Sequence, residues 1–490
     1  MNLTVLCGIE QMKGRQKMKA TLAFLQALFC LGAPCAGNRF VSNDGTWRMT
    51  DADGVEMEGT CYSSLTNALK SPNGCVIYVK NDYDCTADTI PMSQDGSTNA
   101  RYAIGGGITS CVIRSESGDW RTGPTLAGAP DPTTATGCGA NAFRALAKSA
   151  FGSKGIEVVG FRLTGGCSPK TIGSASDLAR GGGVCAGSGA ADRLTLRSCL
   201  VSGGTSALGG GAYMCTLVDC VVSNNLSTAS GGGCAESVLV GTTVCGNRTT
   251  WNSSYGGGGG LYLGRATNCV IEGNETADNA HGGGAWKASL SSCVVRGNSS
   301  GRYGGGTSEG LTVNCVVTGN VQRLNGAVGA GGGGAYGGTH FNALIAFNTA
   351  NNQGGGTYEG AFFNCTVYAN TNTLAKGTYS GGVSSAALVN SISWGNVGAD
   401  DAVTAATNSC LQVAAVTDAK YVDCVNVSPK FGAALVPKGA CRDSGRLFDW
   451  MTDPADPRAV DLLGHPRVTG DAPDMGCYEA LPIGLLLLFR

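Results

Sequence analysis

Between about residue 200 and residue 396, apolar residues fall at alternate positions in short bursts, and the bursts return on a regular beat. Triple glycines mark the beat at Gly209, Gly231, Gly258, Gly282, Gly304, Gly332 and Gly354, with a reduced Ser-Gly-Gly mark from Ser380. Eleven residues past each mark lies a slot for a small side chain, filled by Cys220, Thr242, Cys269, Cys293, Cys315, Ala343, Cys365 and Ser391. Two residues past the slot comes Val222, Val244, Ile271, Val295, Val317, Ile345 or Val367. The next residue is variable: Ser223, Cys245, Glu272, Arg296, Thr318, Ala346 or Tyr368. Period-two alternation of this kind predicts strands with one buried face. Five residues past the slot every unit has an asparagine: Asn225, Asn247, Asn274, Asn298, Asn320, Asn348, Asn370 and Asn396. An earlier unit has Cys199 in the slot and ends on Gly204 instead.

The marks are 22 residues apart at their closest and up to 28 elsewhere, and the extra residues always fall between the asparagine and the next glycines. A period in this range predicts stacked repeats. A unit this short holds three strands and three turns, whereas helical repeats need longer units and tolerate little glycine. The expected fold is therefore all-β, a single-stranded parallel β-helix of roughly 15 rungs and about 70 Å. Equivalent positions then stack about 4.8 Å apart into columns. The asparagines become a structural ladder at a bend, where asparagine tolerates left-handed backbone and its amide both donates and accepts. The slot residues Cys199, Cys220, Cys269, Cys293, Cys315 and Cys365 become an inward structural column of small apolar side chains. Replacement by Thr, Ala and Ser argues against a metal ligand or a nucleophile there. The N-x-S/T sequences at Asn274 and Asn298 are read as ladder members, not as glycosylation sites.

The flanks are less regular. Residues 1–37 read as a secretory signal: Lys13, Arg15, Lys17 and Lys19, then the apolar run 20–31, then small residues, with Met18 as an alternative start. Residues 38–180 are expected to form an N-terminal cap and irregular first rungs, including a short helix over 63–69 and strands within 74–82, 111–119 and 155–166. Residues 181–397 carry the regular repeats, 398–480 the last rungs and a closing motif, and 481–490 an apolar tail too short to span a bilayer. That tail reads equally as a last strand or a sorting signal.

Composition narrows the function. Net charge is −1 and only 14% of residues are charged, which leaves no basic face for nucleic acid. No membrane span is expected in the mature chain. Three of the 23 cysteines lie in the leader, leaving an even number for a disulfide-permissive compartment. No CxxC pair occurs and histidines number 3, which argues against zinc.

The glycine marks and the "NCxVxGN" repeats resemble the bacterial right-handed parallel β-helix proteins of the pectin-lyase-like superfamily. They are also similar to the repeats of polymorphic outer membrane proteins. Near the C-terminus Asp461, Gly464, Pro466, Arg467, Asp474, Gly476, Tyr478 and Glu479 resemble the closing choice-of-anchor Q segment. These likenesses span roughly residues 60–480. They imply a right-handed helix and an exported life at the surface or outer envelope of a bacterium. No barrel-forming segment follows the repeats, so outer-membrane anchoring is not expected to carry over.

Two functions follow from this. The first is a non-catalytic binding or structural role, with extracellular polysaccharide or cell-envelope components as partners. Its candidate site is a ring column, Tyr213, Tyr262, Trp286, Tyr336 and Tyr358, interrupted by Ala235, Ser308 and Ser384. Beside it runs a polar column, Glu236, Lys287, Glu309 and Glu359, in which Lys287 and Glu309 are read as a surface ion pair. Rings facing outward would make a stacking platform and rings facing inward would be core; alternation allows both. The second function is a polysaccharide lyase or hydrolase. That chemistry needs paired carboxylates, or a base beside calcium-binding acids. Asp400–Asp401 is the only adjacent acidic pair of its kind, GHG does not occur, and the one RxK (Arg15–Lys17) lies in the leader. His281 reads as a turn residue and His340 as a packed one, so the catalytic residues stay unknown. The charges at Asp461, Arg467, Asp474 and Glu479 are expected to pair and seal the last rung, with calcium there as the alternative to having no cofactor.

Overall fold

Every strand pair among the described residues is parallel, and from one glycine mark to the next the strands of the three main sheets stay in register. The computed structural model describes residues 37–481 apart from 71, 89–99, 105–107, 136, 140, 149–153, 169–179, 187–192, 325–328, 375–378 and 433–434. The expected leader and apolar tail thus lie outside the described residues, save Gly37 and Leu481. The unit from Gly282 shows the plan. Strands Ala285–Trp286, Ser289–Ser291 and Val294–Arg296 are joined by two-residue corners, and Ser299–Ser300 follows the asparagine. Stacked, these build sheets of 16, 11 and 12 strands, with two minor sheets of 3 and 4 strands. The chain is a parallel β-helix. We call its three faces the long sheet (ending at Tyr421–Val422), the glycine sheet (ending at Val383–Ser384) and the valine sheet (ending at Cys410–Leu411).

The inward columns are dry. Val222, Val244, Ile271, Val295, Val317, Ile345 and Val367 are 0% exposed and face Leu217, Leu239 and Phe362 of the long sheet, also at 0%. Each such side chain contributes about 1.5–3 kcal/mol on burial. His340 occupies the same inward column of the long sheet. It stacks flat on Phe362 and is held by Thr312 at 2.8 Å and the Gly337 carbonyl at 2.9 Å, and burial lowers its pKa to about 4.

The asparagine ladder is continuous from Asn225 to Asn396. Each Oδ1 accepts both the backbone N–H and the side-chain Nδ2 of the preceding asparagine, as Asn320 Oδ1 does from Asn298 at 2.9 and 3.0 Å. The second Nδ2 proton goes to the carbonyl of an inward valine or isoleucine, for example Asn298 to Ile271 at 2.9 Å. The ladder residues are not themselves left-handed, contrary to expectation. The residue before each one is: Asn224, Gly246, Gly273, Gly297, Gly319, Phe347, Ala369 and Gly395. That corner turns the chain so that the asparagine side chain can point inward along the column. Glycine is imposed next to the ladder because a Cβ on Gly233 would lie 2.7 Å from the Gly260 carbonyl oxygen and 3.0 Å from Asn247 Nδ2.

The slot also differs from expectation in one respect. It selects a small donor, not merely a small apolar group. The thiols of Cys199, Cys220, Cys269, Cys293, Cys315 and Cys365 donate to the carbonyl two residues earlier, at 3.1–3.4 Å. Thr242 and Ser391 repeat that bond with hydroxyls at 3.1 and 2.9 Å, and only Ala343 of the eight marked units lacks it.

At the N-terminal end a single helical turn, Leu65–Ala68, is capped by Ser64, and Leu65 and Ala68 are buried against the core. It packs on Asn38–Val41 and on Gly59–Tyr62, the outermost strand of the long sheet. At the other end the expectation of a plug over the last rung is corrected. Residues 435–480 run back along the flank of the rod as a strap over the outer face of the valine sheet. Asn314 donates to the Pro457 carbonyl (2.7 Å), Asn342 to Arg458 (2.9 Å) and Val460 (2.8 Å), and Asn390 to Arg446 (2.7 Å). Those asparagines are the left-handed corner residues just before the slot, with φ of 50–54°. The four charges do gather, inside the strap. Arg467 lies 3.5 Å from Glu479, and both side chains are fully buried.

Candidate functional site

The ring column faces outward from the glycine sheet, yet it is not an open platform. Residues Ala212, Cys234, Leu261, Ala285, Ala335 and Val383 take the inward positions of these two-residue strands, so the following ring must point out. The rings then fold flat over the backbone. Tyr213 is 2%, Trp286 4% and Tyr358 9% exposed, while Tyr262 and Tyr336 are half-buried.

What they fold over explains the interruptions. A second outer column consists of the residue just before each glycine mark, paired from rung to rung through Ser230, Gly257, His281, Tyr303, Gly331 and Gln353. Each of these sits beneath the ring position of the following unit, and sizes compensate. Trp286 covers Gly257, where a Cβ would meet the indole at 3.0 Å, and Tyr358 covers Gly331 at 2.9 Å. Where the lower residue is large the upper one is small: His281 Nδ1 lies 3.3 Å from Ser308 Oγ, and Gln353 accepts from Ser384 at 3.4 Å. Tyr303 and Tyr336 are both rings and stack at 4.1 Å.

The two columns therefore merge into one ladder of rings. It runs Tyr262–Trp286 (5.0 Å between centroids), Trp286–His281 (5.3 Å), His281–Tyr303 (4.7 Å), Tyr303–Tyr336 (4.1 Å) and Tyr336–Tyr358 (5.6 Å). Tyr213 stands apart, separated by Ala235 and covered by the Arg180 guanidinium at 4.9 Å. Neither column alone reveals His281 and Tyr303 as site residues, because the contacts that join them to Trp286 and Tyr336 run between columns. His281 is thus not an ordinary turn residue: it is the link that joins Trp286 to Tyr303. The loop inserted between Asn247 and Gly258 adds Trp251, 43% exposed, and Tyr255, 85% exposed. Trp251 lies against Gly256, one residue from the position that Trp286 covers.

Charges edge the ladder. Glu236, Lys287, Glu309 and Glu359 occupy left-handed corners, with φ of 50–58°, which swing their side chains to the rim. Lys287 pairs with Glu309 at 3.5 Å and lies 4.7 Å over the Trp286 ring. Glu309 also accepts from Trp286 Nε1 at 3.4 Å and lies 3.3 Å from His281 Nδ1. Burial outweighs that carboxylate and lowers His281 to about 4, so the ring is neutral at pH 7. Burial first, and then Glu236 and Glu359 respectively, push the Tyr213 and Tyr336 hydroxyls well above their ordinary range.

The acidic pair does something structural. Asp401 is buried, and its Oδ1 accepts from the Val383 N–H at 2.9 Å and Ser380 Oγ at 3.1 Å. It stands where the next rung's carbonyl would be and ends the glycine sheet, and burial raises its pKa to about 6. In the strap, Asp461 accepts from the backbone of Leu463, His465 and Glu479, and Asp474 from that of Asp443 and Ala480. These carboxylates are engaged by backbone N–H groups. Among the described residues no group of three or more His, Cys, Asp or Glu is arranged to hold a metal.

No protein-family model matches the chain, and no curated protein is significantly similar to it. Among solved structures it is similar to the pectate lyase Pel9A. The identity is 14%, over 91% of this chain and 97% of that one, with a TM-score of 0.34. The parallel β-helix assignment rests on the strand register itself.

Proposed function

We propose that this is an exported β-helix that binds extracellular or cell-envelope polysaccharide along the ring ladder, without cleaving it. The observation that carries the reading is the run of contacting rings from Tyr262 to Tyr358 on one outer face, with the exposed Trp251 and Tyr255 on the neighbouring loop and carboxylates at its rim. Sugar rings stack on aromatic faces and their hydroxyls take hydrogen bonds from such rims. Repetition at rung spacing suits an extended polymer more than a small ligand. The likeness of the repeats to polymorphic outer membrane proteins, and of the strap to the choice-of-anchor Q segment, supports a place at the bacterial surface.

The test is retention of the protein on an array of polysaccharides, with new reducing or unsaturated ends assayed in parallel, with and without calcium. Retention without product is expected, together with its loss in Trp251→Ala and Tyr255→Ala at unchanged circular dichroism. Product formation would overturn the non-catalytic reading. Full retention by both variants would remove the ladder as the site. Trp286→Ala is a poorer probe, because Trp286 is nearly buried and its loss would open the Gly257 contact.

A further inference from the structure

We infer that Cys138–Cys167 and Cys410–Cys441 are disulfides in the mature protein, while the slot column stays reduced. The first bond would staple the N-terminal loops and the second would fasten the strap. The inference rests on the export proposed above only for its oxidant, since the pairing itself is read from geometry.

Cys138 Sγ and Cys167 Sγ lie 3.0 Å apart. Both are 1% exposed and form a small apolar cluster of their own with Ala142. A disulfide sulfur pair sits at about 2.05 Å, within reach of a side-chain rotation. The two residues come from different local structures, a turn after the Thr125–Ala127 strand and the residues following Arg162–Thr164, so no sheet register fixes their separation. The adjacent Cys167 thiol lowers the Cys138 pKa, which favours the nucleophilic thiolate. The second pair joins the rod to the strap. Cys410 is in the last valine-sheet strand and Cys441 in the strap, and both are 0% exposed in one cluster with Ile392 and Met475. The Cys410 thiol donates to the Val427 carbonyl at 3.1 Å, and the neighbouring Cys441 raises its pKa from the strap side.

The slot thiols also neighbour one another, Cys199 with Cys220 and Cys269 with Cys293, but the sheet register keeps them apart. They are rung equivalents in parallel strands, so their Cβ atoms are kept near the rung spacing of about 4.8 Å, against about 3.8 Å in a disulfide. Each is also committed to a carbonyl two residues back. Closing such a bond would draw two rungs together against backbone bonds such as Val294 N to Cys269 O at 2.9 Å. The in-register pair Cys75 and Cys111 falls under the same exclusion.

In each oxidation two S–H bonds break and one S–S bond forms. Two electrons and two protons pass to an external disulfide, that of a thiol oxidoreductase in an oxidising compartment or glutathione disulfide in the tube, which leaves as two thiols.

The experiment is peptide mapping of the full chain without reductant, after alkylation in denaturant. It is run on protein recovered from its native host and on reduced protein equilibrated with glutathione disulfide. Two crosslinks are expected, 138–167 and 410–441, with the other sixteen of the 20 described cysteines alkylated. Absence of these crosslinks after equilibration, or a bond within the slot column, overturns the inference. Crosslinks formed with glutathione but missing from host protein would uphold the pairing and count against export. As a second readout, Cys441→Ser should speed tryptic cleavage within the strap while Cys424→Ser leaves it unchanged. Equal rates would overturn the staple.

Discussion

Two stretches of the valine sheet share one inner face and differ on the outer one. From Val221 to Arg296 the outward residues are Val221 and Ser223, Thr243 and Cys245, Val270 and Glu272, Val294 and Arg296, all half-buried or exposed. From Leu344 onward they include Leu344 at 6%, Ala346 at 1%, Thr366 at 1%, Ile392 at 0% and Cys410 at 0%. The inward residues of both stretches are equally sealed, Val244 and Ile271 as completely as Ile345 and Val367. The rung does not need a second layer to be stable, because its ladder and inner columns are complete without one. Where the strap lies, it converts a solvated strand face into a second core, and Cys477 and Tyr478 pack directly on Leu344 and Ala346.

The largest break in that comparison is expected at Arg467. Its Nη2 donates to the Asp474 and Gly476 carbonyls at 2.7 and 2.9 Å and faces the buried Glu479. Removing the guanidinium leaves those two buried carbonyls without their donor, which costs about 1–3 kcal/mol for each orphaned group, and empties a fully buried site. Arg467→Ala should therefore release the strap. Limited proteolysis should then cut residues 440–480 early while the rungs from Val221 to Arg296 stay protected. Next in size is a matched pair of truncations. Ile392→Ala under the strap should cost about 2–4 kcal/mol in urea unfolding. Val294→Ala, its half-buried counterpart, should cost under about 1 kcal/mol. Equal costs would mean that the strap adds no core.

A smaller, graded effect should follow pH. Burial raises Glu479 from 4.5 to about 8, so the folded strap holds this proton where the unfolded chain has already lost it. Stability from this group is then fully present below about pH 4.5, falls as pH rises toward 8, and levels off above. Burial raises Asp474 as well, with the same sign. Protease protection of the strap should be greater at pH 5 than at pH 8, and Glu479→Gln should flatten the difference.

Much of this architecture was legible in the sequence, and the parts that were not share a cause. Alternation around Val222 or Ile271 exposes the inner columns because burial acts on one strand at a time. The ladder and slot were legible for the same reason, although Thr242 and Ser391 already hinted that the slot selects a donor. The ring ladder was only half legible. The match of Gly257 with Trp286 and of His281 with Ser308 relates two different columns on successive rungs, a relation that no single period reveals. The strap had a signal as well. The third residue past the slot changes from Glu272 and Arg296 to Ala346, Tyr368 and Trp394, which is what an outer face does when something covers it. What covers it follows from the left-handed asparagine corners, whose side chains reach backbone carbonyls more than 100 residues away.

The smallest effect should come from the exposed stretch, at the pair that takes the place of the strap's apolar contacts. Glu272 and Arg296 meet at 2.6 Å on adjacent rungs, with side chains 34% and 52% exposed. Water screens such a pair, and ordering two long side chains offsets part of the attraction, so exposed pairs contribute about 0–1 kcal/mol. Glu272→Gln should shift the urea midpoint by less than Ile392→Ala does, and salt should diminish even that shift. A cost near that of Ile392→Ala would mean that the exposed face is held together by its charges. The contrast with the covered face would then lie in which interaction seals it and not in whether it is sealed.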